Sequence, residues 1–242
     1  MDKTVADLAT AVAGVEDGMT VMIGGFGGAG SPIELIHALI DRYRATGHPK
    51  DLTVVNNNAG NGHVGLAALI EHGIVRKLIC SFPRSADPVV FTERYLAGQI
   101  ELELVPQGTL AERIRAGGAG IPAFYTPTAY GTDLAHGKPV EEFEGRSYVQ
   151  ERWLKADVAL VKAETADTHG NLTFRAAARN FSPLMCMAST EAIVQATRVV
   201  AAGGIDPEVV VTPGIFVQKV VEVAAPQQEE DLNRAYAVYP EG

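Results

Sequence analysis

Side-chain amides and a run of glycines are the groups in this sequence best suited to chemistry. Five glycines lie between residues 24 and 30, and Asn57, Asn58 and Gln107 lie in polar segments further along the chain. Amide N–H groups donate hydrogen bonds to a phosphate or to an oxygen on which negative charge develops. By residue type these groups can stabilise an anion, but none of them is an evident nucleophile or general base.

The glycine run lies between a predicted strand and a predicted helix. Residues 19–23 form a short apolar run, which is typical of a strand buried on both faces. Ser31 can cap a helix, Pro32 suits its first position, and Glu34 lies where a capping box places an acid. We therefore expect backbone N–H groups of the loop and of the helix N-terminus to face a ligand.

Two other interpretations of the glycine run stay open on the residues alone. Residues 25–30 match the dinucleotide fingerprint G-x-G-x-x-G, for which the next strand should end in an acid that binds a ribose hydroxyl. That strand is predicted over Leu52–Val55, and Asn56, Asn57 and Asn58 follow it instead of an acid. Alternatively, the glycines only allow a tight turn between strand and helix.

Composition excludes several classes of partner. Of the 242 residues, 47% are hydrophobic and 20% are charged, as in ordinary globular proteins. The net charge of −9 argues against a broad nucleic-acid or anionic-membrane surface, although a few arginines and amides could still bind a small anion. No apolar run approaches the roughly 18 residues of a membrane span, and no signal peptide is evident.

The sequence shows no pattern typical of a metal site or of a nucleophilic triad. Cys80 and Cys186 lie in apolar runs and are predicted to be buried free thiols in a reducing cytosol. The six histidines lack metal-ligand spacing, and neither a nucleophile elbow nor a P-loop lysine is present. We expect a cytoplasmic protein without a metal.

Alternating strand and helix patterns predict an α/β fold, with an open, mostly parallel sheet flanked by helices and a β-richer C-terminal part. Gln107 is predicted on a loop before a helix that Thr109 and Glu112 open as a capping box. Residues 124–133 read as irregular, and residues 209–211 read as a strand. One domain is expected over residues 1–225, followed by a polar tail (226–242) that is loosely ordered or contacts a partner.

Several long motifs resemble the A (alpha) subunit of family I CoA-transferases, with a match from about residue 4 to about residue 223. Where the family commonly has serine this chain has Asn56, so no role is inferred for that residue. The matching segments are residues 17–32, 56–62, 106–115, 117–132, 170–175, 178–181 and 212–217.

The resemblance implies a reaction in which a glutamate attacks an acyl-CoA thioester, forming an acyl-glutamyl anhydride and then a glutamyl-CoA thioester. In this family the B subunit provides that glutamate, so this chain alone is expected to be inactive. Glu16 and Glu71 each begin a Glu-x-Gly pattern, but neither lies in the sequence context of the family's nucleophilic glutamate. We interpret both as surface acids. The resemblance implies that Asn57, Asn58 and Gln107 face the reacting carboxylates. The implied CoA contacts are Gly24, Gly25, Phe26, Gly27, Gly28, Ala29 and Gly30.

Residues 81–84, 61–62 and 65–69 look most like the 3-oxoadipate CoA-transferases of aromatic catabolism. The expected reaction therefore moves CoA from succinyl-CoA to 3-oxoadipate, with acetoacetate or acetate and butyrate as alternative acids. Arg84 is a candidate for binding the far carboxylate, because a guanidinium group suits that role. A structural Arg84 paired with Asp87 or Glu93 is an equal alternative. A non-catalytic CoA- or dinucleotide-binding module and an NAD-dependent oxidoreductase are the remaining hypotheses.

Overall fold

The structure, a computed structural model, describes residues 1–240. Two sheets and their flanking helices account for the regular elements of that part of the chain. The strands are β1 (Thr20–Ile23), β2 (Leu52–Val55), β3 (Val75–Cys80), β4 (Glu101–Leu104), β5 (Ala123–Thr126), β6 (Val140–Phe143), β7 (Arg146–Arg152), β8 (Ala156–Asp167), β9 (Leu172–Thr173), β10 (Ser189–Val200) and β11 (Lys219–Glu222). The helices are α1 (Leu8–Val12), α2 (Ile33–Thr46), α3 (Gly65–Glu71), α4 (Val89–Leu96), α5 (Gln107–Ala119), α6 (Ser182–Ala188) and α7 (Glu229–Arg234).

The main sheet has the strand order β11-β10-β8-β1-β2-β3-β4, and every neighbouring pair on this path is parallel. Its central strand β1 is fully buried on both faces: Val21 and Ile23 belong to one apolar cluster, and Met22 belongs to the other. Side chains of a strand alternate between faces, so a continuous apolar run is what a doubly covered strand requires. The predicted α/β class with a mostly parallel sheet is confirmed.

Strand β1 lies at the point where the chain changes direction across the sheet. The strands that follow it in sequence, β2 to β4, extend to one side, whereas β8, β10 and β11 extend to the other. In open α/β sheets such a switch point leaves a crevice outside the carboxyl ends of the strands, where ligands bind. The glycine run follows β1 directly, at the mouth of this crevice.

Three local predictions are wrong. Residues 124–133 are not wholly irregular, because β5 belongs to a second, antiparallel sheet of order β5-β7-β6. Residues 209–211 do not form a strand: Pro207–Val209 is a 3₁₀ turn that the Asp206 carboxylate caps. Helix α5 already begins at Gln107, so Thr109 lies inside the helix and does not cap it.

The C-terminal segment, residues 226–240, for which the sequence predicts a tail that is loosely ordered or contacts a partner, packs along the body of the domain. The Tyr239 ring stacks on His37 with 3.5 Å between ring centroids, and its hydroxyl donates to Asp41 Oδ2 at 2.7 Å. Its backbone N–H donates to the carbonyl of His63 at 2.9 Å. Tyr239 is thus one anchor of a segment whose composition is polar. Residues 241 and 242 of the predicted tail lie outside the described residues.

Beneath Tyr239, His37 makes the stability of the fold depend on pH. Its side chain is buried, which lowers its pKa from 6.5 to about 4, while Asp41 acts in the opposite direction. Its Nε2 accepts a hydrogen bond from Gly65 N–H at 3.1 Å, which requires an unprotonated nitrogen. Between pH 6.5 and 4 the unfolded chain therefore binds a proton that the folded chain does not, and stability falls as the pH falls.

We expect His37 to reduce the free energy of unfolding by about 3 kcal/mol between pH 6.5 and pH 4. A His37→Gln variant keeps an acceptor but has no group that titrates, so its stability should fall less over this range. Urea unfolding at pH 4.5, 5.5 and 6.5 measures the difference. Equal slopes against pH for the two proteins would contradict the assignment.

Candidate active site

The loops after β2, β3 and β4 bring three polar side chains together at one edge of the sheet. Asn57 Nδ2 donates to Gln107 Oε1 at 2.8 Å and to Ser81 Oγ at 3.2 Å. Ser81 Oγ lies 2.9 Å from Gln107 Oε1 and 3.0 Å from the Asn57 carbonyl oxygen, so both acceptors are within reach of its one hydroxyl proton. The Asn57 amide thus donates to the carbonyl end of the Gln107 amide, and the Ser81 hydroxyl lies beside it. The Nε2 end of Gln107 has no acceptor within residues 1–240 and is available to a ligand.

The other two asparagines have different roles. Asn56 is buried; its Nδ2 donates to the Ile23 carbonyl at 2.8 Å, and its Oδ1 accepts from Asn58 N–H at 2.9 Å. Asn56 therefore joins the ends of β1 and β2. Asn58 Oδ1 accepts from Gly60 N–H at 2.8 Å, which leaves Asn58 Nδ2 without an acceptor in the described chain. Asn58 and Gln107 are the free amide donors, and Asn57 orients Gln107.

These donors line a cavity of about 620 Å³. Its walls are amides, hydroxyls and small or aromatic groups, and within residues 1–240 no charged side chain lines it. Phe26 and Phe82 stand at the rim, with 46% and 58% of their surface exposed. The lining residues are Phe26, Gly27, Asn57, Asn58, Asn61, Ser81, Phe82, Ser85, Ala86 and Gln107.

The glycine run forms a tight loop whose N–H groups are mostly used internally. Gly25, Gly27, Gly28 and Gly30 have φ between +57° and +128°, a region that glycine adopts without strain. The N–H groups of residues 24, 25, 26, 29 and 31 donate to acceptors within the domain. Those of Gly27, Gly28 and Gly30 have no acceptor in the described chain. Gly27 lines the cavity, so its backbone N–H is the one best placed to donate to a ligand.

At the N-terminus of α2, one of the N–H groups expected to face a ligand is bonded within the domain. The Gln195 side chain accepts from Leu35 N–H at 3.1 Å and donates to the Glu34 carboxylate. Ser31 makes no capping bond, and Pro32 occupies the cap position without one. A buried glutamine from β10 thus satisfies one of the N–H groups that a helix N-terminus leaves without an intrahelical partner.

Arg84 is exposed, and the structural pairing considered for it is absent. It forms no ion pair with Asp87 or Glu93, and it does not line the cavity, although Phe82 and Ser85 of the same loop do. The two acids outside the nucleophile motif also lie away from the cavity. Glu16 is exposed, and Glu71 pairs with His63 at 3.0 Å on the surface.

The two cysteines are unsuited to nucleophilic catalysis. Both are buried, and burial raises the pKa of each thiol to about 12, so neither is a thiolate at neutral pH. Within residues 1–240, no three His, Cys, Asp or Glu side chains lie together in a way that could hold a metal ion. None of the described helices combines the length and the apolar character that crossing a membrane requires.

The fold is that of known CoA-transferases. An acyl-CoA transferase from Escherichia coli O157:H7, solved as a thioester complex with CoA, superposes with a TM-score of 0.82 at 22% identity. The match covers 93% of this chain and half of that chain. Glutaconate CoA-transferase from Acidaminococcus fermentans superposes with a TM-score of 0.80 at 19% identity, and the match covers 91% of this chain and 75% of that chain. A variant of the decarboxylase AibA/AibB superposes with a TM-score of 0.79 at 23% identity, and the match covers 98% of this chain and 93% of that chain. The fold alone therefore does not define the reaction.

The sequence is more specific than the fold. Residues 5–223 match the model of the Coenzyme A transferase family, and the chain belongs to that family. It is 58% identical to the A subunit of 3-oxoadipate CoA-transferase from Pseudomonas putida, over 93% of this chain and 95% of that protein. The A subunit of 3-oxoadipate CoA-transferase from Acinetobacter baylyi is 56% identical, over 92% of this chain and 96% of that protein. The A subunit of succinyl-CoA:3-ketoacid coenzyme A transferase from Xanthomonas campestris pv. campestris is 49% identical over 93% and 91%.

Ser81 is the functional candidate that reasoning from single residues missed. It enters the sequence analysis only as part of a family-like segment, yet it lies directly after β3. The carboxyl ends of parallel strands meet at one edge, so a polar residue in that position is expected to approach those after β2 and β4. Strand position, and not residue type, is the signal that identifies it.

The glycine loop allows a matched test of its packing. A methyl group at Gly30 would lie 2.5 Å from the Ala178 carbonyl oxygen, whereas one at Gly27 would meet nothing within 4 Å. Both positions have positive φ, which costs an alanine about 1 kcal/mol. We expect Gly27→Ala to lose about that amount, and Gly30→Ala to lose about 3 kcal/mol because the backbone must also move. Urea unfolding measures both, and equal losses would contradict the close contact.

Proposed function

We propose that this chain is the A subunit of a heteromeric CoA-transferase that moves CoA from succinyl-CoA to a 3-oxo acid, and that this acid is 3-oxoadipate. The observation that carries the proposal is the cavity: it offers free amide donors and, within residues 1–240, no carboxylate. Such a site can stabilise an anion but cannot form a covalent intermediate. The nucleophile therefore comes from a partner, the B subunit, as the family resemblance implies.

In the proposed reaction a carboxylate of the partner attacks the thioester carbon of succinyl-CoA. Charge moves to the carbonyl oxygen, the C–S bond breaks, and the CoA thiolate leaves an acyl-glutamyl anhydride. The thiolate then attacks the glutamyl carbonyl, which releases succinate and leaves a glutamyl-CoA thioester. The acceptor acid takes the CoA by the same steps in reverse.

Each of these additions places negative charge on a carbonyl oxygen, and the free donors of this chain match that need. Gln107 Nε2 and Asn58 Nδ2 would hydrogen-bond the oxyanion, and Asn57 and Ser81 would keep Gln107 oriented. Neutral donors suit this role, since a lysine or arginine in the cavity would pair with the attacking carboxylate and make it less reactive. In this proposal the loop of residues 24–30 contacts CoA, with the Gly27 N–H directed to the ligand.

The acceptor is assigned from the relatives. Those at 58% and 56% identity are named for 3-oxoadipate, and those near 49% are named for 3-ketoacids. Acetoacetate is therefore the second candidate. A dinucleotide-binding module is disfavoured because the loop after β2 presents Asn56, Asn57 and Asn58 where a ribose-binding acid is required.

Reconstitution with a B subunit tests the function. The purified chain, the purified B subunit, and the mixture of the two are assayed for transfer from succinyl-CoA to 3-oxoadipate and to acetoacetate. We expect activity only in the mixture, with the higher kcat/KM for 3-oxoadipate. Full activity of the chain alone would refute the proposal that the B subunit provides the nucleophile. A preference for acetoacetate would refute the assignment of 3-oxoadipate as the acceptor acid. Calorimetric titration with NAD should show no binding.

Arg84 is the proposed contact for the far carboxylate of the acceptor. Its guanidinium group is exposed, free of ion pairs in the described chain, and on the loop that forms one wall of the cavity. Arg84→Met should raise KM for 3-oxoadipate about tenfold, since a charge-assisted hydrogen bond of about 1.5 kcal/mol is lost, and should leave acetoacetate unaffected. An unchanged ratio of kcat/KM for the two acids would exclude this role.

Gln107 provides the sharpest kinetic test of the amide cluster. Gln107→Ala should lower kcat on the order of a hundredfold, because an oxyanion donor is lost, while KM changes little. Ser81→Ala should have a smaller effect in the wild-type background and none in the Gln107→Ala background, because Ser81 acts through Gln107. Gln99→Ala removes an exposed amide outside the cavity and serves as the control. Additive losses for Ser81 and Gln107 would contradict the proposed orientation.

A further inference from the structure

We infer that the C-terminal segment, residues 226–240, forms an outer support of the acyl-CoA site, in which Glu229 is a positioning residue for the glycine loop and for Asn61. The inference rests on the proposed function for the identity of the ligand. The family match ends at residue 223, so the segment lies beyond the region that family membership describes. Its contacts in the structure are the basis for the role.

Glu229 connects the segment to the site. It is the first residue of α7 and only 6% exposed, which is unusual for a carboxylate. Its Oε1 accepts a hydrogen bond from Asn61 Nδ2 at 3.3 Å. Its side chain also covers Gly28, where a methyl group would lie 3.6 Å from Glu229 Cβ. One side chain thus packs against the glycine loop and holds the loop that follows β2.

Asn61 transmits this contact to the cavity. Its side chain lines the cavity wall, and its Oδ1 accepts from Asp87 N–H at 3.1 Å. The amide of Asn61 is therefore held between Glu229 on one side and the loop after β3 on the other. Loss of Glu229 would leave Asn61 Nδ2 without its acceptor and Gly28 without its cover, and both loops would gain freedom.

The segment is fixed on both sides of Glu229. Before it, Gln227 N–H donates to the Glu34 carboxylate, and the Gln227 carbonyl accepts from Lys162 Nζ at 3.1 Å. After it, Val238 forms a parallel bridge with His63, and Tyr239 stacks on His37. These anchors lie on three different parts of the domain, so the position of Glu229 is determined by the fold and not by α7 alone.

A conservative variant of Glu229 separates its hydrogen bond from its charge. Burial raises the pKa of Glu229, and the hydrogen bond from Asn61 opposes that effect. A glutamine has nearly the same shape and also presents an oxygen that accepts from Asn61. Glu229→Gln should therefore preserve the support, whereas Glu229→Ala should remove it. Glu230, the next residue, is exposed and pairs with Arg234 at 2.8 Å, so Glu230→Ala is a matched control.

The test compares the four full-length proteins in two measurements. Amide hydrogen exchange of residues 24–31 and 58–63 is followed in the isolated chain, and KM for succinyl-CoA and kcat are measured after reconstitution with the B subunit. For Glu229→Ala we expect exchange at least tenfold faster in both loops, and a several-fold higher KM with a smaller change in kcat. Glu229→Gln and Glu230→Ala should match the wild type in both measurements.

Exchange in Glu229→Ala equal to that in Glu230→Ala would overturn the inference. Faster exchange with unchanged kinetics would also overturn it, because the contact would then be structural only. If Glu229→Ala cannot be purified, Asn61→Ala removes the same hydrogen bond and should raise KM in the same way; an unchanged KM would overturn the inference. A wild-type pair without transferase activity would count against the proposed function, and the exchange rates would then decide the inference alone.

Discussion

The hydrogen-bonded contact of Asn57 and Ser81 with Gln107 is the interaction on which the site depends. It joins the ends of three neighbouring parallel strands, and it exists only because β2, β3 and β4 end at one edge of the sheet. The Asn57 donor on Gln107 Oε1, with the Ser81 hydroxyl beside it, fixes the direction of the amide and leaves Nε2 without an acceptor within residues 1–240. Preorganised donors of this kind are effective in catalysis because their orientation is already fixed when charge develops.

Those parts of the fold that repeat a simple pattern could be predicted from the sequence. The apolar run of β1 and the glycines after it predict a buried strand and a tight loop, and both are present. Gln195 could not be predicted as the acceptor for the Leu35 N–H of α2, since it approaches from β10, 160 residues away from Leu35. Tyr239 likewise anchors a polar segment through contacts distant in sequence, which no local pattern indicates.

The fold and the sequence answer different questions about this family. Similar folds are found in CoA-transferases and in a decarboxylase, so the sheet and its switch point define where a ligand binds and not what happens to it. In the proposed function the side chains at the strand ends set the reaction: amides here, with Phe26 and Phe82 at the rim. A strong likeness to the 3-oxoadipate enzymes then narrows the substrate, which geometry alone does not.

A cavity lined only by amides, hydroxyls, glycines, alanines and phenylalanines has one further consequence for the assembled enzyme. None of those described lining groups titrates between pH 5 and pH 9. In the proposed assembly the cavity lining of this polypeptide therefore supplies neither the acid nor the base of the reaction. Groups that gain or lose a proton at the reacting centre belong to the other polypeptide or to the substrates.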